Sequence, residues 1–259
     1  MRAIPEIGAR LDGAGTIVTG AASGMGRATA ILLARAGARV AVTDVRLEAV
    51  QAVVDEITGE GLHAVAKVLD VGDHAQIRSV VEDVADTFGD LSIIVNNAGI
   101  SANRPIDDAD YDDHWDRHLA ILLTAHQRLI RAALPHLRKA ANPRIVNIAS
   151  TEGLGATAGF SAYSAAKAGV IGLTRSLAVE LGKSGITVNC ICPGPVETGM
   201  THAIPDEAKQ VYAARRTALR RYGMPEEVAF MTASLCAPAA SFVTGAIIPV
   251  DGGLMARNA

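Results

Sequence analysis

Short, β-branched apolar runs alternate along the chain with longer stretches whose apolar positions recur every three or four residues. The runs at 16–19, 39–43, 63–69 and 91–95 predict strands. The stretches 27–36, 47–58 and 75–88 predict helices, each stopped by glycine at Gly37, at Gly59 with Gly61, and at Gly89. Strand and helix therefore alternate with short joints, which dictates a mostly parallel sheet with right-handed crossovers. Past a loop at 96–110, residues 112–139 predict a long helix whose pattern breaks near Pro135. A fifth strand (144–149), a helix (162–181) closed by Gly182 and a sixth strand (186–190) follow. Residues 193–222 mix proline, glycine and charge without one clean period and read as an insert of loop and helices. Pro225 then opens a helix with Glu226 and Glu227 in its first turn, and 246–250 is a seventh strand. No linker or repeat breaks the alternation, so residues 1–259 read as one α/β domain.

Composition narrows the class. Apolar residues make up 49% and charged residues 20%, which excludes global disorder. Aromatics are only 3%, so the apolar bulk comes from Ala, Val, Ile and Leu, as buried strands under helices require. With 24 basic against 27 acidic residues and no tail of either sign, a nucleic-acid partner is not expected. No run of 18 uncharged apolar residues predicts a membrane span. Residues 1–11 carry acid and lack the apolar centre of a signal peptide, and three cysteines make no disulfide framework. The expected address is cytoplasmic.

Candidate chemistry lies first between strand one and its helix. Gly20, Gly24 and Gly26, with Ser23 and Met25 among them, let the backbone turn sharply and approach a diphosphate facing helix amides. Asp44 ends strand two, where a carboxylate accepts both hydroxyls of an adenosine ribose and repels a 2′-phosphate, which favours NAD over NADP. Arg46, two residues on, is placed to blunt that preference. Asp70 follows strand three, and Asn96, Asn97, Ala98 and Gly99 follow strand four, at the carboxyl ends where open α/β sheets bind ligands.

A second group lies later in the chain. Tyr163 and Lys167 are four apart in a helix and share a face. A lysine ammonium and an oxidised nicotinamide both favour the phenolate, so Tyr163 is a usable acid–base near neutral pH. Ser150 ends strand five and offers a hydroxyl to a substrate oxygen.

Taken together, Gly20-x-x-x-Gly24-x-Gly26, Asn96 to Gly99, Ser150, Tyr163-x-x-x-Lys167 and Pro193-Gly194 resemble the classical short-chain dehydrogenases/reductases over about residues 12 to 253. The resemblance implies a doubly wound Rossmann fold with seven parallel strands ordered 3-2-1-4-5-6-7, helices on both faces and a substrate lid at about 193–223. It implies that Tyr163 is the catalytic acid–base, that Ser150 polarises the substrate oxygen, and that Lys167 lowers the tyrosine pKa and binds ribose. It also implies that Asp70 and Val71 lie at the adenine, that Asn97 lies near the adenosine ribose, and that Val196 and Thr198 touch the carboxamide and diphosphate. The implied activity is NAD-dependent interconversion of a secondary alcohol and a ketone by a homotetramer. The alternatives are an NADP-preferring 3-ketoacyl-thioester reductase and a catalytically weak nucleotide-binding homologue. One position departs: Leu122 stands where members usually carry an asparagine that maintains a helix irregularity, with His118 and His126 one turn to either side.

Other clusters read as structural. His114 and His118 lack the companions of a zinc site, so no metal is expected. Cys190 and Cys192 read as buried small hydrophobes. Arg215, Arg216, Arg220 and Arg221 form a dense basic patch, read as a solvated or subunit surface before a steering device for an acidic substrate. Glu152 rims the expected pocket, either binding a substrate hydroxyl or amine or pairing at the surface. Ala102 to Arg104, Ala156, Phe160 and the insert through Tyr212 are the expected pocket walls.

Overall fold

The computed structural model describes residues 8–257. The first seven residues of the stretch read above for a leader, and residues 258–259, lie outside it. Seven strands run β1 (Gly15–Thr19), β2 (Arg39–Asp44), β3 (Ala64–Val68), β4 (Ile93–Asn96), β5 (Arg144–Ile148), β6 (Thr187–Pro193) and β7 (Ile247–Val250). All pair in parallel in the order β3-β2-β1-β4-β5-β6-β7. The helices are α1 (Gly24–Arg35), α2 (Leu47–Gly59), α3 (His74–Phe88), α4 (Tyr111–Leu119), α5 (Ala125–Leu137), α6 (Ser161–Leu181), α7 (Asp206–Arg216) and α8 (Pro225–Cys236).

The strands are apolar throughout because both faces are covered. Val18 points into a core with α1, α2 and α8, while its neighbour Ile17 points into a second core with α3, α5 and α6. Val40 and Val42 against Ala41 divide in the same way. Each large aliphatic side chain so buried contributes about 1.5–3 kcal/mol. Because β1 pairs with β2 on one side and β4 on the other, the chain reverses winding direction between β1 and β4. That switch point opens a crevice at the strands' carboxyl ends.

Two boundaries and one cap differ from the sequence reading for physical reasons. Helix α1 starts at Gly24, so Gly24 and Gly26 lie in its first turn rather than ahead of it. The long helix is not broken near Pro135, which sits inside α5 two residues from its end and removes little hydrogen bonding there. Its irregularity lies instead at Ala120–Thr124, a single π-turn between α4 and α5. Finally, α6 ends at Leu181 with Gly182 as its cap, as read, but Gly182 stays right-handed: the chain tightens into a 3₁₀ turn (Gly182–Ser184), and the left-handed residue is Gly185, at φ 73°.

Candidate active site

At the switch point the glycines act through space as well as conformation. Gly20 adopts φ 62°, and a Cβ there would lie 2.7 Å from the Ala98 backbone. A Cβ on Gly26 would lie 2.2 Å from the Gly20 carbonyl oxygen and 2.5 Å from the Asn97 amide. The turn is thus wedged against the end of β4. Thr19 Oγ1 accepts from the Asn97 and Ala98 amides, each at 3.0 Å, and Asn97 Nδ2 donates to the Thr19 and Gly20 carbonyls at 2.8 and 3.1 Å. Asn97 is therefore a fastener between two strand ends.

The first turn of α1 carries no acidic residue, and Ser23 at its N-cap makes no side-chain hydrogen bond to it. Its amides face outward from a cradle that side chains would fill. This donor set fits the diphosphate of a dinucleotide. Asp44 sits beside the turn, half-buried, accepting from the Val45 amide at 2.8 Å and more loosely from the Ala22 amide at 3.4 Å. Arg46 is exposed at the N-cap of α2. Thr198 lies against Gly24, 3.3 Å from where a Cβ would stand, so the start of the insert crosses the diphosphate cradle, and Val196 behind it is buried.

Other predicted contacts have local employment. Asp70 is exposed and accepts from the Gly72 amide at 2.8 Å, which shapes the β3–α3 turn. Val71 packs on the second core. A Cβ on Gly99 would meet Leu122 at 3.1 Å. Pro193 ends β6, and Gly194 N–H donates to the Val250 carbonyl at 3.0 Å, where a Cβ would lie 2.7 Å from Asp251 Cα. The glycine is needed there for close approach of two backbones.

The second cluster assembles from β5, α6 and β6. Ser150 leaves β5, and its hydroxyl accepts from the Glu152 amide at 3.1 Å as the chain enters a 3₁₀ turn (Thr151–Gly153). That turn packs tightly on α6: a Cβ on Gly153 would lie 2.8 Å from the Lys167 backbone. Ser150 is thereby set beside Tyr163, whose phenol pKa it pulls down. Lys167, 3% exposed, donates from Nζ to the Ile148 carbonyl at 2.7 Å, and Nζ stands 5.6 Å from the Tyr163 ring centre.

Burial pushes the Lys167 pKa down to about 8, with Cys190 and Cys192 pulling it back up. For Tyr163 the protein's own groups work against the expected depression. Burial raises the phenol pKa above its ordinary value, the Ser150 hydrogen bond pulls it down, and the Glu152 charge raises it further. Lys167 does not offset this, because its ammonium is turned to the Ile148 carbonyl rather than to the phenol oxygen.

Glu152 lies inside this group, accepting from Thr157 Oγ1 at 2.7 Å and Ser164 Oγ at 3.3 Å. Thr157 and Ala156 also line a cavity of about 800 Å³ whose far wall is α7, with Val211, Tyr212, Arg215 and Arg216. Of the basic patch, Arg221 pairs with Glu227 at 2.6 Å, whereas Arg215 and Arg216 face this cavity. The insert is tied down by Lys209, whose Nζ lies 2.7 Å from Glu197.

Cys190 and Cys192 are fully buried beside Ala149 and Val170, and the neighbouring Cys192, followed by burial, raises the Cys190 thiol pKa. His118 is buried and bonded to the His114 carbonyl at 2.8 Å. Among the described residues no three His, Cys, Asp or Glu side chains gather as metal ligands, and no helix is long and apolar enough to cross a membrane.

Asn96 and Asn97 suit the tying of neighbouring strand ends, but sequence reasoning missed that the tie at Asn96 continues through β5 to α6. Asn96 Nδ2 donates to Asn147 Oδ1 at 2.8 Å, and Asn147 Nδ2 donates to Thr174 Oγ1 at 3.0 Å. The signal was an asparagine in the middle of the otherwise apolar fifth strand.

Residues 20–255 match a family model described as enoyl-(acyl carrier protein) reductase. The chain is 39% identical to a 3-oxoacyl-[acyl-carrier-protein] reductase of Thermotoga maritima, covering 95% of this chain and 99% of that one. It is 42% identical to a cis-4-hydroxycyclohexanecarboxylate dehydrogenase of Sinomonas cyclohexanicum, covering 93% and 96%. Among solved structures, an NAD(P)-dependent gluconate 5-dehydrogenase from Beutenbergia cavernae, described with bound NADP at low occupancy, superposes with TM-score 0.90 at 37% identity over 96% and 99% of the two chains.

Proposed function

The chain belongs to the short-chain dehydrogenase/reductase family and is a nicotinamide-dependent oxidoreductase, and from that premise we propose that it interconverts a secondary alcohol and its ketone with NAD(H). One observation carries this reading: Tyr163, Ser150 and Lys167 lie together at the carboxyl end of β5, the same end of the parallel sheet as the glycine cradle after β1. When bound, the nicotinamide supplies or accepts the hydride. Ser150 steadies the substrate oxygen through its hydroxyl. Tyr163 takes the alcohol proton in oxidation and returns it in reduction. Lys167, with a pKa near 8, holds a proton within reach of the phenol across the working range. The raised phenol pKa keeps the proton on Tyr163 before the dinucleotide binds, the form that acts as the acid in reduction.

Gly20, Ser23, Gly24, Met25 and Gly26 are assigned to the diphosphate. Asp44 is assigned to the adenosine ribose, Asp70 and Val71 to the adenine side, and Asn97, Ala98, Gly99, Pro193, Gly194, Val196 and Thr198 to the remaining wall. Residues 195–223 act as a lid, which the Lys209–Glu197 pair anchors. Exposed apolar Val179 on α6 and Phe242 before β7 support a homotetramer. A screen of secondary alcohols with NAD⁺ and ketones with NADH, followed at the reduced cofactor's absorbance, tests the reading. Turnover of at least one pair is expected, and none across a broad panel overturns it.

A second reading is an NADP-preferring 3-oxoacyl-thioester reductase. It is favoured by Arg46, exposed beside Asp44 and without a carboxylate partner among the described residues, and by the Thermotoga maritima relative. Parallel titrations with NADH and NADPH separate the two. Tighter NADH binding supports the first reading, and tighter NADPH binding the second.

A further inference from the structure

The cavity beside the reacting group carries charge at two ends, and the reaction described above uses neither. Its near wall is Ala156 and Thr157, and its far wall is α7. A chain of hydrogen bonds joins the near wall to the reacting hydroxyls. Thr157 Oγ1 donates to Glu152 at 2.7 Å, and the Glu152 amide donates to Ser150 Oγ at 3.1 Å. Ser164, the residue after Tyr163, donates to the other Glu152 oxygen at 3.3 Å. The near end of the cavity is therefore one half-buried carboxylate away from Ser150.

The far end is cationic. Arg215 and Arg216 stand in the last turn of α7, and both line the cavity. Arg35, Arg104 and Arg221 each pair with a carboxylate, whereas Arg215 and Arg216 pair with none among the described residues. Arg257 brings a third guanidinium to this end of the helix, donating to the Ala214 carbonyl at 3.4 Å. Glu207 also lines the cavity, but in the first turn of α7, about 12 Å along the helix from Arg215. Between the two ends the lining is apolar, with Pro205, Ala208 and Val211. Guanidinium groups left without a carboxylate on such a wall are set to grip an oxyanion through paired N–H donors.

The charges decide which way round a ligand lies. A carboxylate at the near end would meet Glu152, and like charges brought together are strongly unfavourable. The same group at the far end meets two cations. A cavity of about 800 Å³ with an apolar middle and a few polar groups suits a small organic molecule.

We propose that the substrate is an oxo or hydroxy acid: its ketone or secondary alcohol lies against Ser150 and Tyr163, an apolar body fills the cavity, and its carboxylate is held by Arg215 and Arg216. The inference rests on the alcohol–ketone reading given above and names the substrate class for it. Neither arginine takes part in hydride or proton transfer. Both act on binding, so their effect falls on KM.

The test uses methyl ketones carrying a terminal carboxylate, with two to six methylenes between the groups, each against its primary amide and with NADH and NADPH in turn. For the best length, kcat/KM of the acid should exceed that of the amide by about tenfold or more, because a hydrogen-bonded ion pair gives way to a neutral contact. Added salt should shrink the ratio, since both arginines are exposed. In the double variant Arg215→Gln/Arg216→Gln the ratio should fall toward one through a raised KM for the acid. A ratio of one or less at every length overturns the proposal, and so does a ratio that survives the double substitution. A second pair of probes, a 3-oxobutanoyl thioester of phosphopantetheine and of pantetheine, separates the sources of negative charge. An arginine-dependent preference for the phosphate, with none for any carboxylate, overturns the proposal in favour of a thioester.

Calorimetry on the unaltered protein with dinucleotide bound gives a reading that needs neither turnover nor a folded variant. Saturated fatty acids of matching length should bind more tightly than their amides, and equal binding overturns the proposal. Tyr163→Phe is the control on the premise. If it stays active, or if no ketone or alcohol turns over with either dinucleotide, the proposed function itself fails. If ketones turn over without regard to the carboxylate, only this inference fails.

Discussion

The glycine cradle and the Tyr163 cluster lie at the same carboxyl end of one parallel sheet, yet they are built by opposite means. The cradle is a backbone object. Its shape follows from Gly20 and Gly26 lying where a Cβ would strike main-chain atoms, and from a helix start left free of acid. Its glycines fall within the seven residues from Gly20 to Gly26. The Tyr163 cluster is a side-chain object, assembled from β5, a 3₁₀ turn, α6, a π-turn and β6, and its electrostatics come from burial rather than from spacing. A backbone site tolerates little change in shape, whereas a side-chain site tolerates little change in chemistry.

Substitutions in the two regions should therefore have crossed effects. Tyr163→Phe removes the proton carrier and keeps the volume. Turnover is expected to fall by about 10²–10⁴ with dinucleotide affinity nearly unchanged, read by steady-state kinetics and fluorescence titration. The pH dependence of stability sharpens the same contrast. Lys167 carries a folded pKa near 8 against 10.5 for an ordinary lysine, so between those values the unfolded chain binds more protons than the native one. Stability from this group thus rises with pH across that interval, by on the order of 3 kcal/mol, and burial of the ammonium is a cost below it. Lys167→Met should flatten that rise in urea melts at pH 8 and pH 10.

Gly26→Ala attacks the cradle. Its Cβ meets the Gly20 carbonyl at 2.2 Å, and main chain must move. Dinucleotide affinity should drop about tenfold with a lowered Tm, while turnover at saturating cofactor is largely kept. Leu122→Asn buries an amide in the π-turn and should cost about 1–3 kcal/mol of stability, with dinucleotide binding intact and turnover unchanged or raised. A large fall in turnover would show that leucine is required there. The smallest effect is expected at Glu227, which pairs with Arg221 and receives the Met224 amide at 2.7 Å in the open. Its pKa is held near 2, chiefly by the Arg221 hydrogen bond, so its contribution is present above about 4.5 and lost as pH falls toward 2. Glu227→Gln should cost under about 1 kcal/mol by thermal melt.

What could be read without coordinates follows the same division. The alternation of strand and helix, the glycine turn, Asp44 and the Tyr163–Lys167 pair were legible because each is a local pattern, whereas the strand order was implied by the family resemblance. The sequence by itself determined the parallel sheet, the glycine turn and the Tyr163–Lys167 pairing, since these depend on residue type and spacing along a short stretch. Only the tertiary structure decided the rest. The π-turn forms with leucine at 122, Lys167 turns to the Ile148 carbonyl, Asn147 links β4 to α6, and His126 is buried in the first turn of α5 against the Asn96 carbonyl. Burial and hydrogen bonding between distant segments set the charge and aim of a buried polar group, and no periodicity in one stretch encodes what another stretch will place against it.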